Sequence, residues 1–274
     1  MTFEIRNETS SRHDALAVRL TAIAEKTLPL VEDITALPLP SLVTVRLVSL
    51  RAWQKEHWRH GRRRARSEAT DLRVSFPEIK AAALARKTER ARFREAWFMY
   101  GARTIDLRKG HGHEIVLMPE ALREGGRLHD DRFLHRMVAH EATHLAQYKA
   151  AGADLWTNLL TFFPQARGIA DRDYATLVEG HAYWADAKII DKLLGKPETP
   201  DHNISPHASP RYRALRNNPA YQPRTDAMHT VSTVIDALGT DRFNTVWSDL
   251  GLVPTHDEVL SPADWRARLH QGPA

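Results

Sequence analysis

The stretch Met137–Ala146, with the sequence MVAHEATHLA, decides how the rest of the chain is interpreted. It contains the pattern H-E-x-x-H, in which His140 and His144 are four residues apart and Glu141 follows the first histidine. On an α-helix, residues four apart lie on the same face, so both imidazoles can reach one metal ion. Glu141 would then lie beside the open coordination position, where it can take a proton from a bound water. The pattern therefore predicts a zinc-dependent hydrolase, most simply a metallopeptidase.

The residues around the motif favour this interpretation over a surface helix that carries two histidines by coincidence. A surface helix normally has charge at one or more of these flanking positions. Here all of them are uncharged, namely Val138, Ala139, Ala142, Thr143, Leu145 and Ala146. We expect a helix buried beneath an active-site cleft.

The composition of the 274-residue chain excludes several classes of protein. There is no cysteine, so disulfides and thiolate metal sites are both excluded, and zinc must be held by His, Asp or Glu. No segment approaches the roughly 18–20 apolar residues that span a bilayer. The first residues, Met1–Arg6, lack the basic and apolar regions of a signal peptide. We expect a cytoplasmic protein without a membrane partner.

Hydrophobic periodicity predicts a mostly helical chain with three short strands. The strands are expected at Val43–Val48, Thr104–Arg108 and Glu114–Met118, the last two joined as a hairpin. A first helix should start near Ser10 or Ser11 and be bent or interrupted at Pro29. Further helices are expected at Leu50–His60, Glu78–Tyr100, Asp130 or His129 to Ala150, Leu155–Phe163, Tyr174–Leu194 and in short segments beyond Met228.

Two other polar features have competing interpretations. The run Arg59–Arg66 could bind nucleic acid, but no aromatic stacking residues alternate with its arginines, so we favour a solvated helix end followed by a polar connection. His111 and His113 could bind a metal from the glycine-containing hairpin loop, but a polar turn is the simpler interpretation.

A catalytic zinc usually takes three protein ligands and a water, so one more ligand is needed. Metzincins place a histidine six residues after the second one, where this chain has Ala150. SprT-like proteases place it five residues after, where this chain has Lys149. The remaining source is a later helix, on which Glu179 and His181 are the candidates. Residues two apart on a helix point about 200° away from each other, so both cannot face the metal.

The helical phase favours Glu179 as the third ligand. Glu179 shares its face with Tyr183 and Asp186, which gives a polar stripe on an otherwise apolar helix. Asp186 could then orient a ligating imidazole. His181 shares its face with Trp184 and remains the alternative ligand, or else a histidine of the core or the cleft wall. Tyr183, by its phase, and His181, by its proximity in sequence, are the candidates for stabilising an oxyanion.

Taken together, His140–His144 followed by Val178–Ala182 resembles the gluzincins, whose third ligand is a glutamate on a downstream helix. More narrowly, the chain resembles an actinobacterial zinc-metallopeptidase-like "putative hydrolase" family, in which a triplet similar to Glu-Gly-His follows the metal-binding helix. The similarity covers about residues 104–269, and includes the C-terminal runs Phe243–Trp247, Val253–Thr255 and Pro262–Trp265. Tyr183 departs from the Glu-x-x-x-Asp pattern of many gluzincins.

The resemblance implies a zincin-like α+β fold, predominantly helical, with a small mixed sheet packed on the H-E-x-x-H helix and a helical C-terminal part. We interpret residues 1–274 as one catalytic domain, with an N-terminal helical part containing one strand (1–103), the hairpin and metal-binding helix (104–150), and a helical part that supplies the third ligand (151–274).

The implied chemistry is zinc held by His140, His144 and Glu179, with Glu141 as general base and a peptide or protein as substrate. In zincins the edge strand binds the substrate, and Glu114–Met118 would be that strand by resemblance. The alternatives from other classes are a binding or scaffold protein on the same fold and a nucleic-acid-associated protein that uses Arg59–Arg66.

Overall fold

The computed structural model describes residues 2–108, 112–195, 204–218, 221 and 224–271. In this part of the chain a four-stranded mixed sheet is formed by β1 (Thr2–Asn7), β2 (Leu42–Leu47), β3 (Ala102–Ile105) and β4 (Glu114–Leu117). The strand order is β1-β2-β4-β3, in which β1–β2 and β2–β4 are parallel and β3–β4 are antiparallel. Helices predominate around this sheet, so the predicted α+β class is confirmed.

The edge of the sheet nearest the H-E-x-x-H motif is β3 and not the predicted strand Glu114–Met118. The latter forms β4, which pairs with β2 on one side and with β3 on the other. In the antiparallel pair Thr104 lies opposite Ile115. The prediction of an edge strand at Glu114–Met118 is therefore wrong, because β1 and β2 extend the sheet on the far side of β4.

The first strand, β1, was not predicted. Its side chains are mostly polar, and the strand is held by parallel pairing with β2, which starts 35 residues after β1 ends. The connection between them is α1 (Asp14–Thr35), which continues through Pro29. The expected interruption at Pro29 is absent because Leu28 and Val31, on either side of it, are fully buried in the core and hold the helix to the sheet.

Two long helices, α2 (Leu50–Asp71) and α3 (Phe76–Ala96), follow β2. The helix that we expected at Leu50–His60, with a polar connection after the arginine run, instead continues to Asp71, because Ala65 and Glu68 extend its buried face. These two helices and one face of the sheet enclose a small hydrophobic core, which contains Trp53, Phe93 and Ile105. It also contains Val116 of β4, Met118, which follows β4, and Ala121 of α4.

The other face of the sheet packs on the main core. After α4 (Pro119–Glu124) come the two helices that carry the motif residues, α5 (Asp131–Leu159) and α6 (Tyr174–Leu194). As predicted, Asp130 caps α5, accepting a hydrogen bond from the Phe133 N–H at 3.0 Å. Gly152, with φ 70° and ψ −165°, breaks the helical geometry between the two helices that we predicted separately.

The C-terminal part is helical, as expected. It consists of α7 (Pro210–Arg216), α8 (Thr225–Leu238), α9 (Thr240–Phe243), α10 (Thr245–Ser248), α11 (His256–Leu260) and α12 (Pro262–Gln271). Across the residues described, no helix combines the length and apolarity needed to cross a membrane.

The helices α6 and α8 contact each other at Gly180. A Cβ at this position would meet the Ala227 carbonyl oxygen and lie 2.7 Å from Cγ2 of Val231, closer than real Cβ atoms approach. The glycine therefore lets α8 lie directly against the backbone of α6. Gly180 is not among the residues that line the cleft described below.

Candidate metal centre

Side chains from α5 and α6 converge on one point. The ligand atoms of His140, His144 and Glu179 all lie within 4.8 Å of one another. Nε2 of His140 is 3.4 Å from Glu179 Oε2, and Nε2 of His144 is 3.9 Å from Glu179 Oε1. Ligand atoms at bond lengths of about 2.0–2.2 Å around a tetrahedral zinc lie about 3.3–3.6 Å apart. The donor set is one that zinc takes, and the ligand atoms would have to move closer by at most about 1.5 Å to reach that spacing.

The other ring nitrogens of the two histidines are both engaged. Nδ1 of His140 lies 3.0 Å from Asp186 Oδ2, and Nδ1 of His144 lies 2.9 Å from Gln147 Oε1. Because a carboxylate and an amide oxygen can only accept, each Nδ1 carries the proton. When a ring is neutral, its lone pair is therefore on Nε2, directed at Glu179, which is the tautomer that metal ligation requires.

The orientation of Gln147 is itself determined by its neighbours. Its side-chain Nε2 donates to the Val178 carbonyl oxygen at 2.9 Å and lies 3.1 Å from Nδ1 of His181. With the amide nitrogen directed at α6, the amide oxygen must face His144. Sequence reasoning did not identify Gln147, although its position three residues after His144 on the same helix could have indicated this contact.

His181 lies in the core and not in the cleft. It is fully buried, and its ring packs against Trp184, Phe243 and Trp247, at centroid distances of 5.4, 5.4 and 5.1 Å. Burial, with a smaller contribution from His144, lowers the pKa of His181 to about 3. The structure does not bring His181 to the cluster, either as a ligand or as a donor to an oxyanion; it contacts the cluster through Gln147.

Asp186 lies behind His140, as its helical phase indicated. It is 1% exposed, and its second oxygen accepts from Arg136 Nε at 3.1 Å. Burial opposes the charged form of His140, but the hydrogen bonds to Asp186 and Glu179 outweigh it and raise the pKa of His140 to about 10. Burial likewise opposes ionisation of Glu179, but His140, His144 and Arg103 lower its pKa to about 2. His140 and Glu179 thus stabilise each other's charged forms.

Glu141 does not belong to the three converging ligands. It is 8% exposed, and its Oε2 lies 2.9 Å from the Thr104 hydroxyl, which is also 2.8 Å from the Glu141 backbone oxygen. The edge strand β3 therefore holds the carboxylate that the sequence assigns as general base. Thr104 was predicted to lie in a strand but not to contact the site.

Tyr183 lies beside His140, with 4.7 Å between the ring centroids. Burial and the charges of Glu179 and Asp186 raise the pKa of Tyr183, so its phenol stays protonated and can donate a hydrogen bond. The structure brings Tyr183 to the cluster, as its phase predicted.

A cleft of about 920 Å³ lies over the cluster. One wall is the edge strand, Ala102–Ile105, and α5 and α6 form the floor with His140, Glu141, His144, Glu179 and Tyr183. The rest of the wall combines aromatic and apolar side chains with polar and charged ones. The first group includes Phe133, Trp156, Leu159, Leu160, Tyr212 and Tyr221, and the second includes Glu89, Arg92, Glu95, Arg216 and Asn218. A polar centre in a partly apolar cleft is the usual form of a small-molecule or peptide site.

The other two polar features of the sequence are the arginine run and the histidine pair, and in each some side chains contact the rest of the protein. In the run Arg59–Arg66, Arg64 lies 4.7 Å from the centre of the Phe162 ring, and Arg63 donates to the Leu107 carbonyl oxygen at 2.9 Å. Of the histidine pair, His111 lies outside the described residues. His113 packs on Tyr148 and Trp156, and burial lowers its pKa to about 4.

Comparison with known proteins shows a similarity in structure and no match by sequence. No family model matches the sequence, and no curated protein matches it. The chain is similar in structure to a protein from Chloroflexus aurantiacus that is described as "a putative hydrolase with a novel fold". The likeness covers 97% of this chain and 93% of the other, with a TM-score of 0.59 and 16% sequence identity. The chain shares the fold of that protein over nearly its whole length.

Proposed function

We propose that this protein is a zinc-dependent hydrolase, most simply a metallopeptidase. The observation that carries the proposal is the convergence of His140, His144 and Glu179 beside Glu141 at the floor of a cleft. A hydrolase is also the class named for the structurally similar protein from Chloroflexus aurantiacus. The presence of Glu141 argues against a purely structural metal site or a scaffold, because neither needs a base.

In this proposal His140, His144 and Glu179 would hold zinc, the histidines through Nε2 and Glu179 through its carboxylate. Bound zinc would polarise the scissile carbonyl and lower the pKa of water. Glu141 accepts the proton of the attacking water and later passes it to the leaving amine. The Thr104 hydroxyl keeps the Glu141 carboxylate from rotating away, and the protonated Tyr183 donates a hydrogen bond to the negative charge that develops on the carbonyl oxygen.

The substrate would lie along β3. Among the described strands β3 pairs only with β4, so its other edge is open in this part of the chain, and its four residues line the cleft. An extended peptide can add to such an edge through backbone hydrogen bonds. The edge strand that we predicted from the zincins at Glu114–Met118 is thus replaced in this proposal by Ala102–Ile105.

The test combines metal content with turnover. We expect about one zinc per chain by elemental analysis and chelator-sensitive cleavage of a peptide library. Glu141→Gln should abolish cleavage and keep the zinc, because Glu141 is assigned as base and not as ligand. The control is Glu95→Gln, which removes another carboxylate of the cleft wall and should leave both unchanged. A protein that neither carries nor takes up zinc would refute the proposal.

A further inference from the structure

A side cavity of about 550 Å³ opens from the cleft between α3 and the edge of the sheet. Four residues line both spaces and so mark the junction: Glu89, Arg92, Tyr100 and Arg103. Beyond the junction the cavity is mostly apolar, with Ala81, Leu84, Ala85, Phe93, Thr88 and His57 on its walls. Nothing in the proposed hydrolysis uses this cavity.

The two arginines at the junction interact with the charges around them only at a distance. Within the described residues, neither Arg92 nor Arg103 has a hydrogen bond or an ion pair, although Arg103 is half-buried. Other arginines on the sheet are paired: Arg46 with Glu8 and Glu56, and Arg108 with Glu114. Half-buried charges are normally paired, so an unpaired guanidinium facing a cavity is available to a ligand.

The remaining groups at the junction suit a ligand with a single negative charge. Glu89 lies 3.6 Å from His57, and this contact outweighs burial and lowers the pKa of Glu89, which keeps its carboxylate ionised. Burial raises the pKa of Tyr100, so its hydroxyl is a neutral donor. Arg92 and Arg103 are cations, Glu89 is an anion and Tyr100 is neutral, so the junction has a net charge of +1.

The register of β3 relates this junction to the candidate metal centre. Arg103 and Thr104 are consecutive, so their side chains point to opposite faces of the sheet. Thr104 contacts Glu141, whereas Arg103 faces the side cavity, yet its charge is close enough to lower the pKa of Glu179. In a peptide added to β3, the side chain of the residue opposite Arg103 would point to the same face as Arg103.

We infer that Arg103 and Arg92 form a subsite that binds a carboxylate of the substrate, with the apolar cavity behind it for the adjoining side chain. Arginine can bind a carboxylate through two parallel hydrogen bonds. The carboxylate is either the free C-terminus of a peptide or an acidic side chain within it. The inference rests on the proposed function and names its substrate class: peptides with a negative charge near the bond to be cleaved.

The test measures binding rather than turnover, by titration calorimetry on the zinc-loaded chain carrying Glu141→Gln. Three N-acetylated pentapeptides are compared: a neutral one with a free C-terminus, the same peptide as its C-terminal amide, and an amide with one glutamate. We expect a charged peptide to bind about 10- to 100-fold more tightly than the neutral amide, the range for hydrogen bonds to charged groups. Whichever charged peptide gains affinity identifies the source of the carboxylate.

Arg103→Met on the same background should remove this preference, and Arg103→Lys should restore part of it. The control is Arg94→Met, which removes the same charge from an exposed position on α3 that lines neither cavity. Equal binding of all three peptides, no measurable binding of any, or an equal loss for all three in Arg103→Met would each overturn the inference.

The outcome is separable from that of the proposed hydrolysis. The preference for a charged peptide depends on arginine charges, so we expect it to persist in the chelator-treated protein. Absence of zinc or of cleavage in the wild type would refute the hydrolase and leave the peptide preference measurable. Conversely, a wild type that cleaves peptides without regard to their charge would refute only the carboxylate subsite.

Discussion

Replacing Asp186 by asparagine should weaken zinc binding without removing a ligand. In the native site the two carboxylate oxygens accept from His140 Nδ1 and from Arg136 Nε, both at 3.0–3.1 Å. Asparagine has the same shape but only one acceptor. If its NH2 group faces Arg136, two donors meet; if it faces His140, Nδ1 must accept and the proton moves to Nε2, where zinc should bind.

The expected magnitude follows from these contacts. Substitution of a group that orients a ligating histidine typically costs about 10- to 100-fold in metal affinity, which corresponds to about 1.4–2.7 kcal/mol. Because Arg136 is also buried, the loss of its charged partner should lower the free energy of unfolding, by at most about 3–5 kcal/mol. Total stabilities of about 5–15 kcal/mol leave the variant folded at room temperature.

Zinc affinity is measured by competition with a chromophoric chelator at pH 7.5, and circular dichroism verifies that the variant is folded. Asp191→Asn is the matched control, because Asp191 is an exposed residue on the same helix. A zinc dissociation constant within about threefold of the wild type, in a folded Asp186→Asn protein, would show that Asp186 does not orient His140 and would refute this reasoning.

Three further outcomes are expected. Glu179→Ala should lose zinc, whereas His181→Ala should retain much of it and lose about 2–4 kcal/mol of stability through the cavity left in the core, as seen by elemental analysis and urea unfolding; zinc loss in the histidine variant alone would make His181 the ligand. Gly180→Ala should force α8 away from α6 and lower the unfolding free energy by about 1–3 kcal/mol; an unchanged urea midpoint would contradict the close contact. Burial and the charges of Arg64 and Arg63 lower the pKa of His60 to about 3. Below about pH 6.5 His60 is therefore protonated in the unfolded chain but stays neutral in the native state, so the free energy of unfolding falls as pH decreases. In chelator, His60→Gln should reduce that decline by up to about 1.4 kcal/mol per pH unit between pH 6.5 and 4; parallel urea curves for both proteins at pH 7.5 and 5 would contradict it.

The part of the site that depends on helical phase could be predicted from the sequence. The spacing of His140 and His144, and the shared face of Glu179, Tyr183 and Asp186, follow from a period of 3.6 residues once each helix is recognised. The structure brings these side chains together, which requires only that α5 and α6 pack with those faces toward each other. The metal itself and the reaction remain predictions.

The parts that depend on distant segments could not be predicted. The edge position of β3 follows from the pairing of β1 with β2 and of β2 with β4, and no local pattern encodes that order. The contact of Thr104 with Glu141 depends on this arrangement, so it was missed as well. Arg92 and Arg103 at the junction were also missed, because the sequence does not show which arginines lack an ion pair in the described part of the structure.

The glycine contact between α6 and α8 has a consequence for when the metal centre can mature. All three converging ligands are present in the chain by Glu179, but the helix that carries the last of them packs against α8, which starts at Thr225. During synthesis, a nascent chain that has just exposed its ligands would still lack this support. We expect metal capture to be a late step, completed only after the C-terminal helices leave the ribosome and dock.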